Sequence, residues 1–181
     1  DYHPNQPLKG YKGSIWEGGH RVPFLARWPG MVPAGTINSG LVAHLDMAAT
    51  FAAIAGAKLP DGGCLDSFNV LPTITSGRPV RPHFVAHTGG TEGPFSLHRG
   101  DWKFLEVTAP VREPDSLKAP KTGQDKAKAK GKAGPRQPGL YHLAADLSEE
   151  KNLADQQPAK LKEMQDLLAQ LRREPSSRQI P

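Results

Sequence analysis

Cysteine is almost missing from this chain of 181 residues: Cys64 stands alone. No internal disulfide and no multi-cysteine zinc site can form from it. No apolar run approaches the ~18 residues that a membrane-spanning helix requires. The first residues show no charged-then-apolar-then-small targeting signal. Aromatic residues make up 7% and hydrophobic residues 37%, enough for a modest core and no more. The chain begins with Asp1 rather than Met, and we expect it to be processed or cut from something longer. What is plentiful is glycine and proline, 19 and 18 residues. Together they exceed the average of roughly 12% yet fall short of the ~25–30% that marks low complexity. The expectation is a loop-rich, compact piece of about one domain, rather than a helical bundle.

The net charge of +5 is local. Lys118, Lys121, Lys126, Lys128, Lys130, Lys132 and Arg136 face only Asp125 between 118 and 138, so the rest of the chain is close to neutral. This segment has no aromatic residue and cannot bury enough surface to offset its ordering entropy. It reads as a basic, solvated insertion. A contact for polyanions such as sulfated glycans is the alternative, and its affinity would fall steeply with salt. Without stacking aromatics, nucleic acid is not an expected partner.

Periodicity and punctuation place the elements. Residues 1–20 read as loop. Val22–Trp28 is a short apolar run, expected to be a buried strand ending at Pro29-Gly30. Asp46 is a candidate N-cap for a helix over Met47–Ala55, with Gly56 past its end and packing expected on several sides. Leu59–Pro82 is turn-rich. His83–Thr88, Phe95–Arg99 and Trp102–Val107 are strand candidates, the last two joined by a Gly100-Asp101 hairpin turn. Gly139–Leu143 is a returning strand. Pro158 opens an amphipathic helix to Arg173, with Leu161, Met164, Leu167, Leu168 and Leu171 on one stripe.

One string carries chemistry: Lys12-Gly13-Ser14-Ile15-Trp16-Glu17-Gly18-Gly19-His20-Arg21-Val22-Pro23. It sets a lysine on a glycine-rich loop, where Gly13, Gly18 and Gly19 permit positive φ and close backbone approach to a ligand. An ammonium there can hydrogen-bond an anionic oxygen and stabilise charge that develops on it.

This string resembles the K-G-x-x-W/Y-E-G-G-x-R-x-P segment of the type I sulfatases. Further stretches resemble later segments of that family in order: ARWPGMVPAG, LVAHLDMAATFAAIAG, DSFNVLPTITSG, HRGDWKFLE and GLYHLAADLSEEKNLADQQP. Ala49 stands where the family usually has proline, which touches a helix start and not the chemistry. The resemblance implies the C-terminal portion of an alkaline-phosphatase-like α/β fold. Residues 1–59 would end the catalytic sheet domain. Residues 60–117 would be the connection and the start of a C-terminal antiparallel subdomain, 118–138 would be the basic flexible insertion, and 139–181 would supply the last strand and the C-terminal helix of that subdomain.

The resemblance also implies hydrolysis of sulfate esters by a calcium- and formylglycine-dependent parent enzyme. The family's nucleophile motif, C/S-x-P-S/A-x-R, and its Asp-Asp and Asp-Asn calcium ligands do not occur here; Cys64 is followed by Leu65-Asp66-Ser67. The chain by itself is therefore expected to be inactive, with the N-terminal part of the same enzyme as its partner. No metal ligand is assigned to it. Lys12 matches the lysine that contacts substrate sulfate and assists the leaving oxygen. Glu17, Gly18, Gly19 and Arg21 match structural positions of the loop, with Glu17 and Arg21 candidates to pair. His20 is either a packed neutral histidine or a substrate contact, and His3 is a candidate to line the pocket. His98 and Arg99 are read as structural. Family members are commonly exported, so a periplasmic or secreted location is the expectation. Phosphonate or phosphodiester hydrolysis on the same fold is one rival. A non-catalytic module binding sulfated polysaccharide is the other.

Overall fold

The computed structural model describes residues 5–88, 93–108 and 137–177. His3 and the basic residues from Lys118 to Arg136 lie outside the described residues. The chain divides into two compact units, Asp1–Val22 with Val85–Met164, and Pro23–Phe84 with Gln165–Pro181.

The first unit holds most of a four-stranded sheet in the order β1-β2-β3-β4, formed by β1 (Phe84–His87), β2 (Phe95–Arg99), β3 (Trp102–Leu105) and β4 (Gly139–His142). The β2–β3 hairpin closes as expected: Arg99 pairs with Trp102 across Gly100-Asp101. Gly100 takes φ +57°, a left-handed conformation that glycine adopts without steric cost.

Register sorts the side chains onto two faces, because successive strand residues point to opposite sides. Leu97, Phe104 and Leu140 are aligned across β2, β3 and β4 and are buried, a continuous apolar row. The neighbouring row is His98, Lys103 and Tyr141, also buried. The opposite face is thus covered as well, by Ile15 and Trp16, which cluster with Leu105 and Tyr141. Residues 1–20 are therefore not all loop. They contain a one-turn helix, α1 (Glu17–His20). Its coverage of the sheet is set by distant contacts rather than by local propensity, and an isolated turn this short would not be stable.

The second unit carries two helices, α2 (Met47–Ile54) and α3 (Leu71–Ser76). α3 lies inside the stretch read only as turns; Pro72 in its first turn and Gly77 at φ +72° just after it were its boundary signals. Asp46 does not cap α2 with its side chain. Its carboxylate accepts from the Ala43 and Phe68 amides at 2.8 and 3.0 Å. It also receives a bidentate pair from Arg81, at 2.8 Å from Nε and 2.5 Å from Nη2. The donor left open at the start of α2 is taken from far along the chain, by Ser67 Oγ at 2.9 Å from the Ala49 amide. A buried arginine with two oxygens to satisfy outweighs a local cap.

Two further expectations fail in this unit. Val22–Trp28 is neither a strand nor buried; Leu25 is 91% exposed. A strand must exchange hydrogen bonds with a neighbour, and among the described residues none pairs with it. Helix α2 buries Ala49 and Thr50, while Phe51 and Ile54 face solvent, so it is packed on one side and not several. Helix α4 (Pro158–Leu171) follows its predicted stripe, with Met164 and Leu168 buried.

Candidate functional site: the lysine loop and the buried charges beneath it

The loop from Asn5 to His20 is tied to itself by backbone and side-chain hydrogen bonds. The Asn5 amide donates to the Gly10 and Gly18 carbonyls at 2.9 and 3.0 Å, and the Gly18 N–H donates to the Lys9 carbonyl at 2.7 Å. Gly13 has φ +88°, as the loop reading anticipated. Gly18 and Gly19 serve a different purpose from the one expected. A Cβ on Gly18 would lie 2.4 Å from the Gly10 carbonyl, and one on Gly19 would lie 2.1 Å from the Ser14 carbonyl. The close approach they permit is to the chain's own backbone, not to a ligand.

Lys12 sits exposed on this turn. The Thr88 hydroxyl donates to the Gly13 carbonyl at 2.6 Å, which fastens the turn to the end of β1. An exposed ammonium on a fastened turn keeps its reach toward an anion while the backbone beneath it stays fixed.

Directly after the turn, the chain goes inward. Glu17 is buried, its amide donating to Glu149 Oε2 at 2.6 Å. Glu17 Oε1 accepts from Lys103 Nζ at 2.9 Å and lies 3.1 Å from His98 Nε2 and 3.3 Å from His20 Nε2. The expected Glu17–Arg21 pair forms at 3.3 Å through Oε2. It is the weaker support, because the Arg21 side chain is half exposed while Lys103 is fully buried. Lys103 also reaches Glu149 Oε1 at 2.7 Å. One lysine thus holds two carboxylates, each of which would be costly to bury unpaired.

The environment shifts these groups in different directions. Burial pushes the Glu17 carboxyl up, but hydrogen bonds from His20 and His98 and the charges of His98 and Lys103 outweigh it and hold the group well below the usual carboxylate range. Burial pushes Glu149 up, against the pull of Lys103. Burial pushes His98 down, opposed by the Glu17 carboxylate. Glu149 also holds φ +54°, a left-handed backbone that a residue with a Cβ adopts at a cost. Lys9 reinforces the same corner, donating to the Glu149 carbonyl at 2.9 Å and lying 4.0 Å over the Trp16 ring.

The structure therefore brings together Glu17, His20 and Arg21 of the motif, adds His98, and leaves Lys12 outside this cluster. Lys103 and Glu149 were not singled out from the sequence. Lys103 had a signal: it lies between Trp102 and Phe104 on a strand, and a lysine at an inward position requires a partner. Glu149 had none, since nothing local separates it from Glu150.

Among the described residues, one group of metal-ligating side chains converges, namely Glu17, His20 and His98. Calcium prefers six to eight oxygen ligands, and two imidazoles with a single carboxylate do not fit it. No calcium site is assigned to this chain.

Comparisons with known proteins bear on the whole chain. The family model for Sulfatase matches residues 2–57. N-acetylgalactosamine-6-O-sulfatase of Bacteroides thetaiotaomicron is 30% identical over 161 residues, covering 88% of this chain and 29% of that enzyme. Arylsulfatase G of Rattus norvegicus is 31% identical over 171 residues, covering 90% of this chain and 29% of that enzyme. The crystal structure of Ps i-CgsB in complex with k-i-k-neocarrahexaose is 29% identical with a TM-score of 0.69, covering 92% of this chain and 32% of that one. The chain spans about a third or less of the length of the relatives it matches. Its fold is that of a C-terminal portion of the alkaline-phosphatase-like sulfatases, with the small antiparallel sheet in place, and the chain belongs to the sulfatase family.

Proposed function

We propose that this chain is the part of a sulfatase that presents Lys12 to the sulfate group of a sulfated saccharide, the rest of the enzyme supplying nucleophile and calcium. The observation that carries the reading is the turn at Lys12-Gly13, exposed at its lysine and fastened by Thr88 and by the loop's own carbonyls. An ammonium carried on a fastened backbone can reach an anionic oxygen and stabilise charge that builds as the ester bond breaks. The class of substrate is supported by the relatives: one is named for a sulfated amino sugar, and another was crystallised with k-i-k-neocarrahexaose. His20 serves the loop rather than the sulfate, given its place beside Glu17 and His98. The resemblance supports a periplasmic or secreted location.

The test is hydrolysis of sulfated mono- and oligosaccharides by the enzyme at its natural length, with and without Lys12→Ala. The expected result is a fall in kcat/KM on the order of 100-fold or more, the scale of losing one oxyanion-type contact. An unchanged rate removes Lys12 from the site. Turnover of phosphodiesters in preference to sulfate esters would replace the sulfatase reading.

A further inference from the structure

We propose that Glu17, His20 and His98 form a binding site for a transition-metal cation of the zinc class, with three protein ligands and one position open. The three candidate ligand atoms form a nearly equilateral triangle. Glu17 Oε1 is 3.3 Å from His20 Nε2 and 3.1 Å from His98 Nε2, and the two Nε2 atoms are 3.3 Å apart. A tetrahedral zinc ion with bonds of ~2.0–2.1 Å places its ligand atoms ~3.3 Å from one another. The triangle therefore has the dimensions of one face of that tetrahedron.

The hydrogen-bond arithmetic points the same way. Both imidazoles turn the same nitrogen toward one point, and that point is also within reach of a carboxylate oxygen. Oε1 already accepts from Lys103, and a carboxylate oxygen has about two lone-pair sites. Were both Nε2 atoms protonated, two imidazole donors and an ammonium around one oxygen would exceed them. A single cation replaces both imidazole protons and leaves Lys103 on the remaining lone pair. Lys103 then acts as the outer partner that orients the ligating carboxylate, with Glu149 holding Lys103 in turn at 2.7 Å.

Placement and access fit. His98 stands on β2 and Glu17 and His20 on α1, so the ligands come from regular elements rather than free loops. Glu17 and His98 are buried, and the His20 side chain remains 19% exposed, which gives an ion its way in. Glu17 and Glu149 are balanced by Lys103 and Arg21 before any ion enters. The site therefore favours an anionic oxygen, hydroxide or an oxyanion, at the open position. The metal would clamp α1 to the sheet directly beneath the lysine turn.

The experiment uses the protein at its natural length, stripped of transition metals and held in excess calcium, so that oxygen-rich sites are filled. Isothermal titration with zinc chloride is expected to show one tight site. Cobalt(II) should give the intense visible absorption of a tetrahedral centre. His20→Ala and His98→Gln, each confirmed as folded by circular dichroism, should weaken zinc by more than the ~10–100-fold seen when only an outer partner is lost. His44→Ala should leave it unchanged. Absence of a tight zinc site, an octahedral cobalt spectrum, or zinc binding that survives His20→Ala overturns the proposal.

Discussion

Lys103 Nζ lies 2.9 Å from Glu17 Oε1 and 2.7 Å from Glu149 Oε1, with no part of the lysine exposed. This ion triad joins α1 to β3 and to the turn after β4. Without it, the lysine loop would rest on two buried carboxylates that repel each other. Lys103→Met should lower stability by about 3–5 kcal/mol, the cost of breaking a buried pair by removing one partner. Chemical denaturation of the chain checks it. A loss below about 1 kcal/mol would mean that solvent already screens the pair.

Gly19 faces the Ser14 carbonyl, which an added Cβ would meet at 2.1 Å. Backbone cannot yield as a side-chain tip can. Gly19→Ala should therefore cost at least the ~1–3 kcal/mol of overpacking and displace the loop that carries Lys12. Melting temperature reads the first effect, and the rate of sulfate release by the full-length enzyme reads the second. Gly13→Ala, where no atom lies within 4 Å, should cost only the strain of φ +88°, roughly 1–2 kcal/mol.

In the second unit the Asp46–Arg81 pair does for α2 what Lys103 does for α1. Arg81 also donates to the Asp66 carbonyl at 2.6 Å and the His83 carbonyl at 3.1 Å. Arg81→Lys keeps the charge but loses the planar fork that serves these acceptors together. It should destabilise the chain by about 2 kcal/mol or more, whereas an exposed exchange such as Arg27→Lys should stay within about 0.5 kcal/mol. Equal effects would refute the role given to the fork.

Tyr141 supplies a pH test. Burial, with the charges of Glu149 and Asp146 added, pushes its hydroxyl up to about 12. The folded state therefore holds this proton more tightly than the unfolded chain, whose tyrosine titrates near ~10. The resulting stability is complete below pH ~10 and is lost as pH rises through about 12. Alkaline titration followed by tyrosinate absorbance should show one of the three tyrosines ionising late, and Tyr141→Phe should remove that step. An ordinary titration of all three would count against the burial.

Phe24, Leu25 and Ile37 present apolar surface in the second unit; Ile37 is fully exposed. The chain expressed by itself should bind hydrophobic dyes and self-associate. Leu25→Glu with Ile37→Lys should reduce both, as read by dye fluorescence and sedimentation. A monodisperse, dye-silent wild-type chain would show that this surface is shielded.

The amphipathic helix α4, the Gly100-Asp101 hairpin and the strands β2 and β4 were legible in the residues, since each is specified by contacts a few positions apart: a three-and-four stripe, a two-residue turn, a bounded apolar run. The Glu17–Arg21 pair was legible for the same reason. Its importance was not, because the stronger partner, Lys103, lies 86 positions away.

What the sequence determined by itself was family, helix and hairpin, and the presence of a lysine on a glycine-rich turn. Only the tertiary structure decided that Val22–Trp28 is no strand, that Ser67 and not Asp46 serves the start of α2, and that His20 meets His98. A strand needs a partner's backbone, a buried charge needs an opposite one, and two imidazoles need a sheet and a helix to bring them 3.3 Å apart. Each of these is a relation between distant positions, fixed by burial and register rather than by neighbours in the chain.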